Sequence, residues 1–205
     1  LLCAVGFASF LFTEKAQSQS LTVQFVEISP AVKVNGSFDG KFFMDYPSGL
    51  SVFNEFQAFC VDPLQSLSYG ESVTYEVQDI SDLTSSLIIA RLIGGYLASE
   101  RTDLDAAAVQ WAIWEVVAEV TGGEYSHEDG NVVITPETRD GLPVLSAVAA
   151  LGKQYLANHE GFNPVTLTYL HSDTHQDVVT WQVVPEPATA GLAALSALLF
   201  FRRRR

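Results

Sequence analysis

Thiol chemistry has little to work with in this sequence: Cys3 and Cys60 are the two cysteines among 205 residues. That scarcity excludes a disulfide scaffold and a Cys-rich zinc site, both of which need several closely spaced cysteines. Basic residues are also few, 11 against 24 acidic ones, for a formal net charge of −13. Such a balance disfavours nucleic acid and anionic lipid as partners. No Gly-rich phosphate cradle, no basic patch interleaved with aromatics and no cofactor signature occurs. The terminal apolar runs hold 12 and 14 residues, short of the ~20 that a permanent helical span requires. What is present, 48% hydrophobic and 17% charged residues, suits one compact domain with a sizeable core.

The two ends differ in composition from the middle. Residues 1–12, LLCAVGFASFLF, are uncharged and apolar; TEKAQSQS follows, with Ala16 and Ser18 as small residues before a possible cut. This reads as a signal peptide over residues 1–18, in preference to a buried N-terminal helix. No Met or basic segment precedes the apolar run, so the expectation is a leader truncated at its start. The opposite end reads VVPEPATAGLAALSALLFFRRRR. Pro185 and Pro187 break a preceding strand or helix. The uncharged residues 188–201 can enter a membrane, and Arg202, Arg203, Arg204 and Arg205 resist leaving its cytoplasmic face. Fourteen helical residues reach about 21 Å against a hydrocarbon core of roughly 30 Å, which suits a transient anchor.

Val184-Pro185-Glu186-Pro187, the apolar run and the arginine cluster resemble the PEP-CTERM sorting signal of exosortase substrates, over residues 184–205. The resemblance implies export, transient residence in the inner membrane, and cleavage near Pro-Glu-Pro by exosortase, a membrane-embedded cysteine protease. The product would reach the cell surface or extracellular matrix. The exported body is then residues 19–183. Counted through Pro187, it carries 23 acidic and 6 basic residues, a net charge near −17, which favours solubility and loose attraction of divalent cations. With Cys3 in the leader, Cys60 is the one thiol left. An unpaired cysteine in an oxidising compartment suggests an intermolecular bridge or a reactive thiol, with an inert buried residue as the plain alternative.

Within the body, LTVQFVEI alternates in the manner of a strand. AVKVNGSFDGKFF continues it, with a Gly-rich turn expected at residues 35–40 between two strands. FCVDPLQSLSYGES leads to another alternating stretch, SVTYEVQDI, with Val73, Tyr75 and Val77 on one face. A helix is expected through Leu83–Ala98, capped by Ser81 or Asp82, with Leu87, Ala90, Arg91 and Gly94 stacked along it and Gly94-Gly95 weakening its far half. A second helix follows Thr102 or Asp103. Only Gln110, Glu115 and Glu119 are polar between Ala106 and Val120, so it must be mostly buried. NVVIT reads as a short strand, residues 143–158 as a third helix, and VTLTYL and DVVTWQVV as a closing hairpin. The fold class is therefore α+β: a single domain with strands at both ends, sandwich or barrel-like, a central helical portion, and short apolar N- and C-terminal helices.

Gln110 sits oddly inside a buried helix, because its carbonyl and amide hydrogens need partners and burial without them costs a few kcal/mol. Trp114 lies one turn on, where its ring can help exclude water. AVQWAIWEV and the earlier FCVD resemble, respectively, the Gln-x-Ala-x-Trp helix and the aromatic-Cys segment of thioester domains in bacterial surface adhesins. Where that family usually has Thr before the Gln, this chain has Val109. The resemblance implies an internal thioester with Cys60 as sulfur donor, Gln110 as acyl donor and Trp114 as supporting aromatic. An amine-bearing surface or matrix molecule would be the partner, captured once without turnover. The alternative is a noncatalytic matrix protein of the same fold.

A cysteine hydrolase is the rival from another class, with His127, His159, His171 or His175 as base. His171, Asp173, His175 and Asp177 alternate in a way that a metal site could use, although turn chemistry accounts for Ser-Asp-Thr-His equally well. The acidic segment EYSHEDG is a similarly weak calcium candidate.

Overall fold

The computed structural model describes residues 19–118, 130–134 and 144–182. The expected signal peptide, the sorting signal with Pro185, Glu186, Pro187 and Arg202 to Arg205, the two terminal apolar helices and His127 lie outside the described residues.

Among these residues the architecture is α+β: a seven-stranded antiparallel sheet with three α-helices. The elements run β1 (Ser20–Phe38), β2 (Lys41–Phe53), β3 (Gln57–Cys60), β4 (Ser72–Gln78), α1 (Ser86–Ala98), α2 (Asp103–Ala118), β5 (Val132–Ile134), α3 (Val144–Asn158), β6 (Thr168–His171) and β7 (Val178–Thr180). Strand order is β2-β3-β7-β6-β4-β1-β5, and β1 also pairs with β2, so six strands form a closed circuit of hydrogen bonding. The length of β1 makes the closure possible. Its first residues, Ser20–Gln24, pair with β4, and from Phe25 onward it pairs with β2 through three register shifts. Each shift bends and twists the strand.

The turn expected over residues 35–40 is narrower than the sequence suggested. Asn35 and Gly36 belong to β1, and Asp39-Gly40 alone turns the chain, with φ of 47° and 74°. Left-handed conformations at both central residues match the twist of a hairpin, and Asp-Gly supplies them at little steric cost. Gly36 meets a different demand: a Cβ there would lie 2.2 Å from the Val133 carbonyl oxygen and 2.9 Å from the Trp111 ring.

Helix α1 begins at Ser86, later than expected, because Ile80–Asp82 form a separate 3-10 turn capped by the Asp79 side chain on the Ser81 N–H, 2.9 Å. Its inward face is Ile89, Leu92, Ile93 and Tyr96; the stack expected from Leu87 is displaced, and Leu87 is exposed. Gly94 and Gly95 allow close approach of the segment after α3. A Cβ on Gly94 would sit 1.9 Å from the Asn163 carbonyl oxygen, and one on Gly95 2.6 Å from the Phe162 ring.

Helix α2 starts with a reciprocal cap. Thr102 Oγ1 accepts from the Asp105 N–H at 3.1 Å while Asp105 Oδ2 accepts from the Thr102 N–H at 3.0 Å, leaving two fewer orphan donors in the first turn. The helix is buried from Ala106 through Val116 on every side, as the near absence of polar residues requires. Val109, Ala112, Ile113 and Val116 pack with α1, α3 and Phe59, whereas Ala107, Trp111 and Trp114 pack with β1, β2 and Cys60. A third apolar cluster, including Val23, Phe25, Val73, Tyr75, Leu170 and Val178, joins β1, β4, β6 and β7. No helix among the described residues is long and apolar enough to cross a membrane.

Candidate functional site

Strand β3 ends at Cys60, and its two neighbours part company there. On one side β7 stays paired: Cys60 lies opposite Val178, and the Val61 N–H donates to the Asp177 carbonyl at 2.9 Å. On the other side pairing with β2 stops at Ala58 opposite Ser51. Extending that register by two residues would set Cys60 against Gly49, but the β2–β3 ladder holds only Ser51 opposite Ala58 and Val52 opposite Gln57. The main-chain N–H and C=O of Cys60 on that side therefore need another partner.

Gln110 is that partner. The Cys60 N–H donates to Gln110 Oε1 at 2.9 Å, and Gln110 Nε2 donates to the Cys60 carbonyl at 2.8 Å. The carboxamide thus continues the strand ladder where β2 departs, with Gln110 1% and Cys60 3% exposed. The two residues the sequence singled out are adjacent. The same pair of bonds also places the Gln110 carbonyl carbon beside the residue that carries the thiol.

An aromatic enclosure surrounds the thiol. Trp114 packs edge-on to Trp111 with ring centroids 5.4 Å apart, and it tilts against Tyr46 at 5.8 Å; Phe43 closes the group at 5.8 Å from Trp111. Trp114, expected as a supporting aromatic, is one of the rings of this group. Phe43 and Tyr46 were not apparent from sequence, because nothing in their local pattern tells that β2 packs on α2. Tyr46 is held from behind by Gln176, whose Nε2 donates to the phenol oxygen at 3.1 Å. Val109, where the resembling family has Thr, points into the opposite cluster with Phe59 and Ile113, so a hydroxyl there would face the core between the helices.

Burial pushes the Cys60 thiol well above its ordinary value; the indole N–H of Trp114 and the main-chain N–H of Asp62 act the other way and favour the thiolate, while the Asp62 and Asp177 carboxylates disfavour it. Among the described residues the Trp114 N–H is buried and has no hydrogen-bond partner of standard geometry, and its influence on the thiol is to favour the charged form. Cys60 is in no disulfide, and burial favours the neutral form of its thiol. Two donors nevertheless await a negative charge on sulfur.

The other candidates resolve differently. His171 Nδ1 lies 2.9 Å from Asp177 Oδ2, and its Nε2 lies 3.3 Å from Asp173. Asp177 also accepts from the Tyr169 hydroxyl at 2.7 Å and the Ser172 N–H at 2.8 Å. His175 turns to Glu71 at 3.1 Å, and His159 Nδ1 meets the Leu156 carbonyl at 2.6 Å. These bonds knit the β6–β7 turn and the end of α3 and engage no sulfur. No group of three or more metal-ligating side chains forms among the described residues. Of the EYSHEDG segment only Gly130 is described.

Compared with known proteins, the chain matches no family model, no curated protein and no solved structure.

Proposed function

We propose that the chain is an exported surface or matrix protein, processed by exosortase after transient anchoring in the inner membrane, whose body captures an amine-bearing molecule through an internal Cys60–Gln110 thioester. We also read the closed circuit of six strands as a small barrel against which α2 is packed. The observation that carries the capture reading is the seating of the Gln110 carboxamide on the Cys60 main chain at 2.9 and 2.8 Å, inside an aromatic enclosure.

The chemistry follows from that geometry. Cys60 Sγ attacks the Gln110 side-chain carbon; the charge that develops on Oε1 is met by the Cys60 N–H already bonded to it, a single oxyanion donor. The C–N bond breaks, the thiol proton leaves with nitrogen, and ammonia departs. The resulting thioester survives because buried aromatics exclude water. Its formation removes the donor to the Cys60 carbonyl, so the acyl group is held from one side only. An amine then attacks the same carbon, giving an amide at Gln110 and a free Cys60 thiol.

The second reading, a noncatalytic protein of the same fold, has its own support: the two bonds to Cys60 give the Gln110 carbonyl and one amide hydrogen a structural task. Treatment with methylamine separates the readings. Capture predicts a methylamide on Gln110, about 14 Da above the unmodified residue, with Cys60 alkylatable only after treatment. Unmodified Gln110 beside a thiol that alkylates on unfolding without prior treatment supports the structural role.

A further inference from the structure

Strand β2 has one open edge over its first residues. Its ladder with β1 starts at the hairpin turn, with Phe38 opposite Lys41, Ser37 opposite Phe42 and Gly36 opposite Phe43, whereas β3 meets it only at Ser51 and Val52. In a hairpin closed by a two-residue turn, main-chain groups point alternately towards the partner strand and away from it. Lys41 and Phe43 therefore bond to β1, and the N–H and C=O of Phe42 and Met44 point outward. Among the described residues no strand lies on that side of them and no loop bonds to them.

This edge is apolar between two opposite charges. Phe42 is 84% and Met44 70% exposed, on the face opposite Phe43, whose ring packs on Trp111. Lys41 and Asp45 flank them, both exposed and neither in an ion pair among the described residues. Regular pairing stops beyond Asp45, which has a left-handed φ of 50° and an N–H tied to Asn35 Oδ1 at 2.7 Å; Pro47 has no N–H to offer. The segment Lys-Phe-Phe-Met-Asp is self-complementary when paired antiparallel. A two-fold axis through Phe43 sets Phe42 opposite Met44 of the partner subunit and Lys41 opposite Asp45 of the partner subunit. The parity is the one a ladder needs: the residues with outward main-chain groups form the hydrogen-bonded pairs, and Phe43 lies between them.

We propose that two copies of this chain associate through this edge, β2 against β2, so that their sheets continue into each other across a two-fold axis. Each Phe42–Met44 pair exchanges both main-chain hydrogen bonds, and the exposed side chains of both copies merge into one apolar patch. Each Lys41 gains a carboxylate. With 24 acidic and 11 basic residues, two copies repel over most of their surfaces, but this stretch carries one charge of each sign and matches itself. The pairing uses up the edge, so association through it stops at two. So short an edge falls at the small end of interfaces, below about 1,200 Å², and the dimer dissociates on dilution. The inference is independent of the thioester, since Phe43 keeps its place on Trp111.

Sedimentation velocity of the full chain over a concentration series tests this, with charge variants as the specific probe. Lys41→Glu and Asp45→Lys each oppose like charges twice across the axis and are expected to weaken the dimer about tenfold. An equimolar mixture of the two variants matches every pair again and should restore association to near the unaltered level. Association carried by any other surface would ignore these charges. Met44 is the single methionine of the chain and gives a second readout in the unaltered protein: its oxidation by peroxide should slow as concentration rises through the dimerisation range. A chain that stays monomeric throughout the series, a dimer that neither variant weakens, a mixture that fails to restore it, or oxidation of Met44 independent of concentration overturns the inference.

Discussion

Gln110 and Cys60 are joined through main chain on one side and side chain on the other, and substitutions at the two positions should therefore differ in kind. Gln110→Ala strands a buried N–H and a buried C=O on Cys60, each costing about 1–3 kcal/mol when unmet. Cys60→Ala leaves both bonds in place and removes one sulfur. Neither variant can form the thioester, so their difference isolates the ladder bonds: Gln110→Ala should be less stable than Cys60→Ala by about 3 kcal/mol in urea unfolding. Trp114→Phe keeps the aromatic wall and deletes the indole donor. Its thioester should react with hydroxylamine about tenfold more slowly, less than for loss of an oxyanion donor because the charge is spread over sulfur. Both Cys60 and Gln110 were legible as anomalies in sequence, a lone thiol and a polar residue in an apolar helix. That the glutamine holds the cysteine by its backbone was not, because it depends on where β2 leaves β3, and the pattern of β2 is silent on that point.

At the scale of elements, α2 was the most legible part of the chain, since a helix apolar on all sides has to be central. Its N-terminal cap supports this placement beyond the first turn: Asp105 also accepts from the Tyr155 hydroxyl of α3 at 3.0 Å, and burial pushes that phenol up to about 12. Thr102→Ala should cost about 1 kcal/mol, measurable as a lower urea midpoint. Helix α1 was read less well. Its glycines look like weakness by propensity, yet a Cβ on Gly94 would lie 1.9 Å from a main-chain oxygen. Gly94→Ala should therefore destabilise by more than about 2 kcal/mol, despite gaining roughly 1 kcal/mol in intrinsic helix preference. A gain in stability would contradict the packing described for this face. The contact partner, Asn163, is about seventy residues away in sequence, and local periodicity carries no trace of it.

Over the whole molecule, strands at both ends and helices between were readable from alternation and helix-stop residues, but the closed circuit was not, because it requires one long strand to bend across two partners. The β6–β7 turn also ties chain ends to the site. Its main chain bonds to Val61, and its Asp177 carboxylate holds His171 protonated to higher pH than usual, by hydrogen bonding foremost, with Asp173 adding to the effect. Stability from this pair is fully present below the ordinary histidine value of 6.5 and is lost as pH rises through the raised folded value. The urea midpoint of the unaltered protein should exceed that of His171→Gln at pH 6, with the gap narrowing towards pH 9; a gap independent of pH would contradict the assignment. The central claim, that Cys60 and Gln110 are covalently joined, is tested most directly by the intact mass of the purified protein under non-nucleophilic conditions. The thioester predicts a mass about 17 Da below that of the sequence, the loss of one ammonia. Full sequence mass, with Cys60 titrating as a free thiol after unfolding, would contradict it.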